Sequence, residues 1–351
     1  MKEKKITGIK VINPLTIENW NDLIIQHKEY SFFHSKEWIK VLYDSYGYKP
    51  LFFSIFENGN LRSLIPAMRI SSFITGNRLV SLPFSDFCDP FFQTIDDSRQ
   101  LLEEIIAYSK KNKLEYVEFR SSDTKFPFEP VEFRTDLRHI LTLKEEGNNL
   151  LKSFSENTKR NIKKAVKENV KVVVKNDVIG LRVFYNMVCE TRQKHGLPPQ
   201  PYNFFRTIYR NILGKNAGDI ILAHHNGEYI AGAMYFKLGK KIIYKFGASF
   251  SKFHHLRGNP FLMWEAIKKY QTEGFKEFDF GRTELKHEGL RRFKLGFNTE
   301  ERLIYTTRFD IKTQSFISPG TKTDGFYNTL FNKAPILILK VIGNTFYKHI
   351  G

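Results

Sequence analysis

The chain has 351 residues, of which 41% are hydrophobic and 15% aromatic, and this composition excludes a disordered chain because it supplies enough apolar surface to offset chain entropy. Lysine and arginine number 55 against 37 acidic residues, a formal net charge of +18, which favours anionic partners such as nucleic acid, nucleotide-sugars or a phospholipid surface. The two cysteines, Cys88 and Cys189, exclude a disulfide framework and a thiolate metal cage and suit a reducing compartment.

The two ends of the sequence show no secretory signal and no membrane-spanning segment. The basic stretch 1–10 is followed by Val11-Ile12-Asn13-Pro14 rather than by an apolar run with a cleavage site. No window reaches the roughly 18 consecutive apolar residues that a spanning helix needs. We therefore expect a cytoplasmic protein.

Two parts of the chain repeat one order of predicted elements around an Asn-Gly turn. Asn58-Gly59 and Asn226-Gly227 each separate two apolar strands, and this dipeptide predicts a hairpin because both central residues of a type I′ turn need a positive φ. Each hairpin is preceded by a helix and followed by a strand, a helix and a strand. The predicted helices and strands around the hairpins are 36–46, 101–106 and 115–120 in the first copy, and 181–195, 262–267 and 276–282 in the second.

This duplication predicts an α/β (α+β) fold of two tandem domains, each a mixed, mostly antiparallel sheet flanked by helices. We place the first domain at 1–150 and the second at 151–315, with a basic linking helix at 157–169. The remaining tail, 316–351, contains a predicted amphipathic helix that is compatible with a lipid interface or with docking on the protein body. Its apolar face is predicted to contain Ile336, Leu337, Leu339, Ile342 and Phe346.

The order of helix, hairpin, strand, helix and strand resembles the GNAT acyltransferase unit. Two tandem units resemble the Fem (FemAB-like) family of nonribosomal peptidyltransferases and their acyltransferase relatives in exopolysaccharide systems. The resemblance extends from about Phe32 to Phe309. It is carried, in chain order, by 34–38 (HSKEW), 81–86 (SLPFSD), 159–165 (KRNIKKA), 192–196 (RQKHG), 257–260 (RGNP) with 264–265 (WE), 278–282 (FDFGR) and 289–296 (GLRRFKLG).

The resemblance implies transfer of an aminoacyl group from aminoacyl-tRNA to an amine of a cell-wall or envelope precursor that carries a nucleotide or lipid diphosphate. The leading hypothesis adds that the enzyme acts at the inner membrane face, through peripheral contact. Some relatives are similar to acyl-CoA enzymes instead. Several Fem proteins insert a long helical hairpin in the second domain, and this sequence lacks one, so tRNA contacts of that arm are not carried over.

Aminolysis of an ester or thioester needs a deprotonated amine, donors that face the developing oxyanion and a proton for the leaving group. It needs no serine or cysteine nucleophile, and the sequence has no Gly-x-Ser-x-Gly elbow and no Cys-His signature. His224-His225 and His254-His255 are interpreted as adjacent strand residues that point apart, so no metal site is predicted. The expected co-substrate is aminoacyl-tRNA or acyl-CoA, and no cofactor is expected.

Three residues are the catalytic candidates. In the Fem pattern the lysine at the position of Lys294 lies at the transfer centre, where its charge stabilises an oxyanion or the terminal phosphate of tRNA; the alternative is a solvated lysine on a basic helix. Asp279 is expected to orient the amine or to pair with Arg282, and Glu118 is its counterpart in the first copy. Asp86, in a turn-rich loop, is a candidate base or an ordinary turn residue.

The predicted acceptor site lies in the first copy. Lys36 is similar in position to the lysine with which Fem enzymes hold the acceptor's diphosphate, and an ammonium suits phosphate; an isolated surface lysine is the alternative. Trp38 and Arg120 complete this predicted set.

Basic residues concentrate on the linking helix and on the second copy. The segment 229–264 has no Asp or Glu, and its lysines alternate with aromatic residues, as on surfaces that bind single-stranded nucleic acid; strand aromatics that belong to the core are the alternative. The predicted donor or tRNA-binding residues are Arg160, Lys163, Lys164, Lys167, Lys245, Arg257, Asn259, Arg282 and Arg292.

A coenzyme A site is less well matched. GNAT enzymes hold the pyrophosphate on a Gln/Arg-x-x-Gly-x-Gly/Ala loop that opens a helix, whereas this chain has a single glycine, Gly258, followed by Asn-Pro. An acyl-CoA enzyme that N-acylates an amino-sugar or exopolysaccharide precursor is therefore the second hypothesis. The third is a noncatalytic RNA-binding or membrane-binding protein with a degenerate acyltransferase fold.

Overall fold

The computed structural model describes residues 6–122, 133–143, 150–319 and 331–351. The described residues form two compact units. Unit 1 draws on Met1–Asp136, Leu303–Thr321 and Lys348–Gly351, and unit 2 draws on Leu137–Arg302 and Lys322–Tyr347. None of the helices within these described ranges combines the length and the hydropathy needed to cross a bilayer.

The helices begin and end close to the signals in the sequence. The Ser35 hydroxyl, for example, accepts a hydrogen bond from the Trp38 amide at the start of α2, and Gly47 ends that helix at a φ of 73°. The α-helices are α1 (Trp20–Ile24), α2 (Lys36–Tyr46), α3 (Ile95–Lys111), α4 (Leu150–Ser153), α5 (Glu156–Lys167), α6 (Val178–Lys194), α7 (Tyr202–Asn211), α8 (Gly258–Thr272), α9 (Glu288–Leu295) and α10 (Ile336–Ile350), with 3₁₀ helices at Pro14–Thr16, Phe32–His34, Leu213–Lys215 and Ser251–Leu256.

The strands follow the predicted repeated order, except that two strands and not one separate the first hairpin from helix α3. They are β1 (Ile6–Ile12), β2 (Lys49–Pro50), β3 (Phe52–Glu57), β4 (Asn60–Ile65), β5 (Met68–Ser72), β6 (Gly76–Val80), β7 (Tyr116–Ser122), β8 (Arg134–Thr142), β9 (Lys171–Val174), β10 (Gly218–His225), β11 (Glu228–Leu238), β12 (Lys241–Ser249), β13 (Glu277–Glu284), β14 (Glu300–Asp310) and β15 (Ser315–Ile317).

Unit 1 contains an antiparallel sheet in the order β1-β3-β4 and a run of strands in the order β2-β5-β6-β7-β14. The β6–β7 pair is parallel and the β7–β14 pair is antiparallel. Helix α3 packs Leu101 and Ile105 into a core that includes Phe53 and Val117. This is the mixed sheet with a covering helix that the alternating pattern predicts.

Unit 2 carries its strands in the order β8-β13-β12-β11-β10-β9. Strands β9, β10, β11 and β12 pair with one another in antiparallel order, whereas β12 and β13 are parallel. Helices α5 and α8 bury Ile162, Ala165 and Ala266 in a core shared with the strand residues Tyr235 and Phe278. The basic helix predicted at 157–169 is thus present as α5.

The two Asn-Gly hairpins form as predicted. Asn58 and Gly59 have φ angles of 51° and 83°, and Asn226 and Gly227 have φ angles of 47° and 82°. Both central residues of each turn are therefore left-handed, as a type I′ hairpin requires. The turns join β3 to β4 and β10 to β11, which confirms the predicted α/β fold class.

The strand that follows each copy along the chain belongs to the other unit. Strand β8 follows β7 along the chain and lies beside β13, while β14 follows β13 and pairs with β7, with Ile304 opposite Ser122 and Asp310 opposite Tyr116. The units therefore divide near residues 136 and 302 and differ from the predicted boundaries at 150 and 315. The pattern of a strand encodes its buried faces but not its neighbour.

One local prediction is wrong, and a second holds only in part. His254 and His255 lie in the 3₁₀ helix Ser251–Leu256 and not in a strand. The tail helix is present as α10, but its buried residues include Leu339, Gly343 and Tyr347, at intervals of four. Leu337, predicted on the same apolar face, is 75% exposed and lies on a different side of the helix from Leu339, so only part of the predicted face is buried.

Candidate active site

Lys294 is buried in unit 2. It is 2% exposed, and its Nζ donates hydrogen bonds to the carbonyl oxygens of Gly281 at 2.8 Å and Arg282 at 3.0 Å. No other residue of α9 is buried. The alternative of a solvated lysine is therefore wrong, and the short helix α9 carries its one buried side chain to the end of β13.

Asp279 shapes the turn that holds Lys294. Its Oδ1 accepts a hydrogen bond of 2.7 Å from the amide of Gly281, and Gly281 has a φ of 71°, a left-handed conformation that favours glycine. The carbonyl groups of Gly281 and Arg282 then face the ammonium. Asp279 thus acts on Lys294 through the backbone of the strand end.

The charge of Asp279 is balanced by Arg138 and not by Arg282 as predicted. The Arg138 Nε donates to Asp279 Oδ2 at 2.6 Å, and its Nη2 lies 3.0 Å from Glu277 Oε1. Burial raises the pKa of Asp279, and the Arg138 guanidinium opposes that rise. The result is a buried ion pair between β8 and β13.

An equivalent ion pair occupies unit 1. In the parallel strand pairs Glu118 lies opposite Val80, as Asp279 lies opposite Ile243. The Glu118 carboxylate accepts hydrogen bonds from Arg120 and from Arg308 on β14. Burial acts to raise the pKa of Glu118, but the two guanidinium groups outweigh it and lower that pKa to about 2. The repeat indicates a structural role for both carboxylates.

His139 and Glu301 were missed by the sequence analysis. The side chain of His139 is fully buried with its Nε2 3.0 Å from Glu301 Oε1, and Glu301 also accepts two hydrogen bonds of 2.7 Å from Arg291 on α9. Burial, and next the positive charge of Lys294, lower the pKa of His139 to about 4. The imidazole is therefore neutral near pH 7, and Lys294 carries the positive charge of this pair.

Two buried polar atoms in unit 2 lack hydrogen-bond partners within the described residues: His139 Nδ1 on β8 and Thr283 Oγ1 on β13. Buried polar groups in native proteins are nearly always paired, and exceptions are concentrated at functional sites. The signal that could have found this strand is a segment of strand length in which Asp136, Arg138 and His139 lie among Leu137, Ile140 and Leu141.

The predicted acceptor residues of unit 1 meet partly at Ser85. Trp38 Nε1 donates to Ser85 Oγ at 2.8 Å, and Arg120 Nη1 lies 3.3 Å from the Ser85 carbonyl. Asp86 follows in the same loop and is half-buried. Trp38 itself is 0% exposed, so it supports the loop and presents no surface to a ligand.

Lys36 is held apart from that loop. It begins α2, is half-buried, and its Nζ donates to the carbonyl of Ile17 at 2.8 Å. The structure thus brings Trp38, Arg120 and the Asp86 loop together and places Lys36 on a separate contact within unit 1.

The predicted donor residues on α5 share one exposed face. Ile162 and Ala165 face the core. All four basic side chains of the predicted set are exposed, and Arg160 donates a hydrogen bond of 2.9 Å to Asn157 Oδ1. They are Arg160, Lys163, Lys164 and Lys167.

The start of α8 is a second basic point. Arg257 is exposed with a φ of 58°, and no side chain caps the helix that begins at Gly258. Asn259 Nδ2 donates to Ser249 Oγ at 3.2 Å. Free amide groups at a helix start attract anions.

The remaining donor candidates occupy different environments. Lys245 is half-buried at an irregularity of the β11–β12 pairing, with its Nζ 5.5 Å from the ring centroid of Phe246. Arg292 is exposed on α9 and pairs with Glu288 at 2.6 Å. Arg282 is half-buried and contributes its carbonyl to Lys294.

No group of three or more His, Cys, Asp or Glu side chains within the described ranges is arranged to hold a metal ion.

Part of the chain matches a known family. Residues 152–295 match the model for an acetyltransferase (GNAT) domain, and this stretch contains α8, β13 and Lys294. A curated relative, the Lipid II:glycine glycyltransferase of Staphylococcus haemolyticus (strain JCSC1435), is 32% identical over 87 residues, which make up 23% of this chain and 21% of the relative. The match therefore spans about a fifth of that relative's length.

Solved structures share the fold over most of the chain. FemX superimposes with a TM-score of 0.67 at 13% identity and covers 85% of this chain and 97% of its own. A tandem GNAT protein from the clavulanic acid biosynthesis pathway has a TM-score of 0.53 at 8% identity. The match covers 87% of this chain and 98% of that protein. The predicted resemblance, fold class and enzyme class are confirmed: the chain contains a GNAT-type acyltransferase domain and resembles the Fem-type transferases.

Proposed function

We propose that this protein is an N-acyltransferase that moves an aminoacyl group from aminoacyl-tRNA to an amine of a cell-wall or envelope precursor. The observation that carries the proposal is the buried ammonium of Lys294, held by the carbonyls of Gly281 and Arg282 within the GNAT-type stretch. The proposal includes a lipid-linked or nucleotide-linked acceptor and peripheral contact with the inner membrane face. The glycyltransferase relative supports a precursor of this kind, since its name specifies lipid II.

The chemistry follows from the charge of Lys294. The acceptor amine attacks the ester carbonyl, a carbon–nitrogen bond forms, and negative charge develops on the carbonyl oxygen. The Lys294 ammonium stabilises that oxyanion. The amine loses its proton to Asp86 or through the substrate itself, and the ribose oxygen of tRNA leaves with a proton when the carbon–oxygen bond breaks.

Access to Lys294 requires motion because the side chain is 2% exposed. Helix α9 is suited to that motion, since Lys294 is its only buried residue and its other side chains are half-buried or exposed. Segments with few buried contacts open at low free-energy cost. We infer that α9 shifts when the acyl donor enters, and that Asp279 keeps the strand-end turn in place through Gly281.

The donor side of the proposal is the basic surface of unit 2. The exposed face of α5, with Arg160, Lys163, Lys164 and Lys167, suits a phosphate backbone. Arg257, Asn259 and the open start of α8 suit a terminal phosphate. Lys245, Arg282 and Arg292 belong to the same proposed donor site.

The acceptor side of the proposal lies in unit 1. Lys36 would hold a phosphate of the precursor by exchanging its contact with the Ile17 carbonyl for a charge-assisted one. Arg120 and Asp86 share the Ser85 loop, which Trp38 anchors. This arrangement would place a cation and a carboxylate beside the acceptor.

A second donor, acyl-CoA, is favoured by one observation. Helix α8 starts at Gly258 without a side-chain cap, and an uncapped helix start of this kind accepts a diphosphate as readily as a nucleic-acid phosphate. The acceptor in that case is an amino-sugar or an exopolysaccharide precursor.

Separate incubations of the purified protein with charged tRNA and with acyl-CoA decide between the donors. Extracted envelope precursors serve as acceptors, and mass spectrometry measures the added mass. The proposal expects transfer from charged tRNA that RNase abolishes. Activity that survives RNase without charged tRNA would overturn the tRNA donor, and no transfer from either donor would overturn the enzymatic proposal.

A further inference from the structure

A pocket of about 360 Å³ lies in unit 2 among helices α6, α7 and α10. This volume is within the range of small-ligand sites, which begins at roughly 300 Å³. The pocket lies apart from the residues assigned above to catalysis and substrate binding. Its lining consists of Arg182, Tyr185, Asn186, Tyr202, Lys340 and Asn344.

The pocket carries uncompensated positive charge. Neither Arg182 nor Lys340 pairs with a carboxylate in the part of the chain that the structure describes, and the Lys340 Nζ lies 5.3 Å from the ring centroid of Tyr185. The amides of Asn186 and Asn344 add hydrogen-bond donors to the same wall. Two cations with neighbouring donors and no acid suit a phosphate group.

The pocket is bordered by exposed aliphatic side chains on the same two helices. On α10, Leu337 is 75% exposed and Val341 is 65% exposed, and they lie within one turn of Lys340. On α6, Ile179 is 61% exposed and lies three residues before Arg182. A soluble anion would gain nothing from this apolar border, whereas a lipid joins a phosphate to acyl chains.

The charge of α10 fits the same ligand. From Phe331 to Gly351 the sequence contains Lys333, Lys340 and Lys348 and no Asp or Glu. A helix that exposes aliphatic residues beside lysines lies in the interface of an anionic bilayer.

We propose that α10 and this pocket form a docking site for an anionic phospholipid bilayer. Arg182 and Lys340 bind a headgroup phosphate, and Leu337, Ile338 and Val341 enter the acyl boundary. The inference rests on the membrane contact included in the proposed function and names its surface and its lipid class.

Vesicle sedimentation of the full-length protein tests the site without any transfer substrate. A protein that does not bind vesicles could still transfer an aminoacyl group, and a protein without transfer activity could still bind vesicles. The two proposals can therefore fail independently. We expect binding to phosphatidylcholine vesicles that contain phosphatidylglycerol and weak binding to phosphatidylcholine alone. Each cation near an anionic leaflet strengthens binding about fivefold, so Arg182→Gln with Lys340→Gln lowers the affinity roughly 25-fold.

A matched control removes two charges elsewhere. Lys110 and Lys111 are exposed at the end of α3 in unit 1, and Lys110→Gln with Lys111→Gln changes the net charge equally. The control is expected to bind nearly as the parent protein does. Equal losses in the two double variants would show that binding follows net charge alone and would overturn the proposal.

A second variant keeps the test decisive if the charge variant misfolds. Leu337→Ser with Val341→Ser leaves every charge in place and is expected to lower vesicle binding at least tenfold while circular dichroism stays unchanged. Unchanged vesicle binding would refute the docking face. A loss of self-association in size-exclusion chromatography, without vesicle binding by the parent, would assign the face to a second copy. If free glycerol phosphate released the protein from the vesicles, the pocket would instead be assigned to a soluble phosphate.

Discussion

Lys294→Met removes the charge that the proposed chemistry uses and keeps the length of the side chain. Loss of one preorganised donor to an oxyanion lowers kcat by roughly 10²–10³, equivalent to about 3–4 kcal/mol of transition-state stabilisation. The Gly281 and Arg282 carbonyls also lose their hydrogen-bond donor, and each carbonyl that stays buried and unpaired lowers the free energy of unfolding by about 1–3 kcal/mol. Part of this loss is offset because the variant no longer buries an ammonium group. The expected result is a large loss of transfer with a moderate loss of stability.

The same substitution has an electrostatic consequence at a neighbouring residue. The charge of Lys294 contributes to the low pKa of His139, which is about 4, so the pKa of His139 rises in Lys294→Met. Two-dimensional NMR titration of the imidazole measures this rise. An unchanged pKa would show that the two side chains do not interact.

The assay follows release of labelled amino acid from charged tRNA in the presence of extracted precursors, with thermal unfolding measured in parallel. Lys110→Met, on the exposed end of α3, is the control and is expected to retain full activity and stability. A Lys294→Met protein that stays folded and keeps half of the parent rate or more would refute the assignment of Lys294 to the oxyanion.

Three further predictions concern stability. Arg138→Leu leaves Asp279 buried without its 2.6 Å partner and is expected to cost about 3–5 kcal/mol in urea unfolding, whereas adding Asp279→Leu recovers most of that loss; equal losses in the single and double variants would contradict this. The pKa of His139 is lowered from 6.5 to about 4, so as the pH falls the unfolded chain binds a proton before the folded protein does. The free energy of unfolding therefore falls between pH 6.5 and pH 4, by up to roughly 3 kcal/mol. His139→Gln is expected to reduce this dependence of stability on pH, and an unchanged dependence would refute the prediction. Gly227→Ala at a φ of 82° is expected to lose about 1 kcal/mol, whereas Gly289→Ala, which is helical with open space at its Cβ, is expected to lose nothing; equal effects would count against the turn assignment.

The sequence predicts the repeated unit because its signals are local. Asn58-Gly59 and Asn226-Gly227 specify their turns within two residues, and the basic periodicity of α5 specifies its exposed face. Lys294 stands out in the sequence only through family resemblance, and the structure adds the two carbonyl contacts that explain its burial.

The partners across strands could not be predicted. Asp279 is separated from Arg138 by 141 positions, and no local pattern joins them. The same is true of His139 and Glu301, which are 162 positions apart. The buried face of α10 was predicted only in part, because its first seven positions are apolar except Lys340 and several faces there satisfy the helical period.

The exchange of β8 and β14 determines the order in which the chain can complete its units. Unit 1 holds the first described residues, but its sheet lacks β14 until residues beyond 303 have been synthesised. The strands of unit 2, β8 to β13, all lie between residues 134 and 284 and are available earlier. During translation the part of unit 1 before residue 136 therefore leaves the ribosome before unit 2 but completes its sheet after it. Until then the edge of β7 has free backbone groups that another chain could pair with.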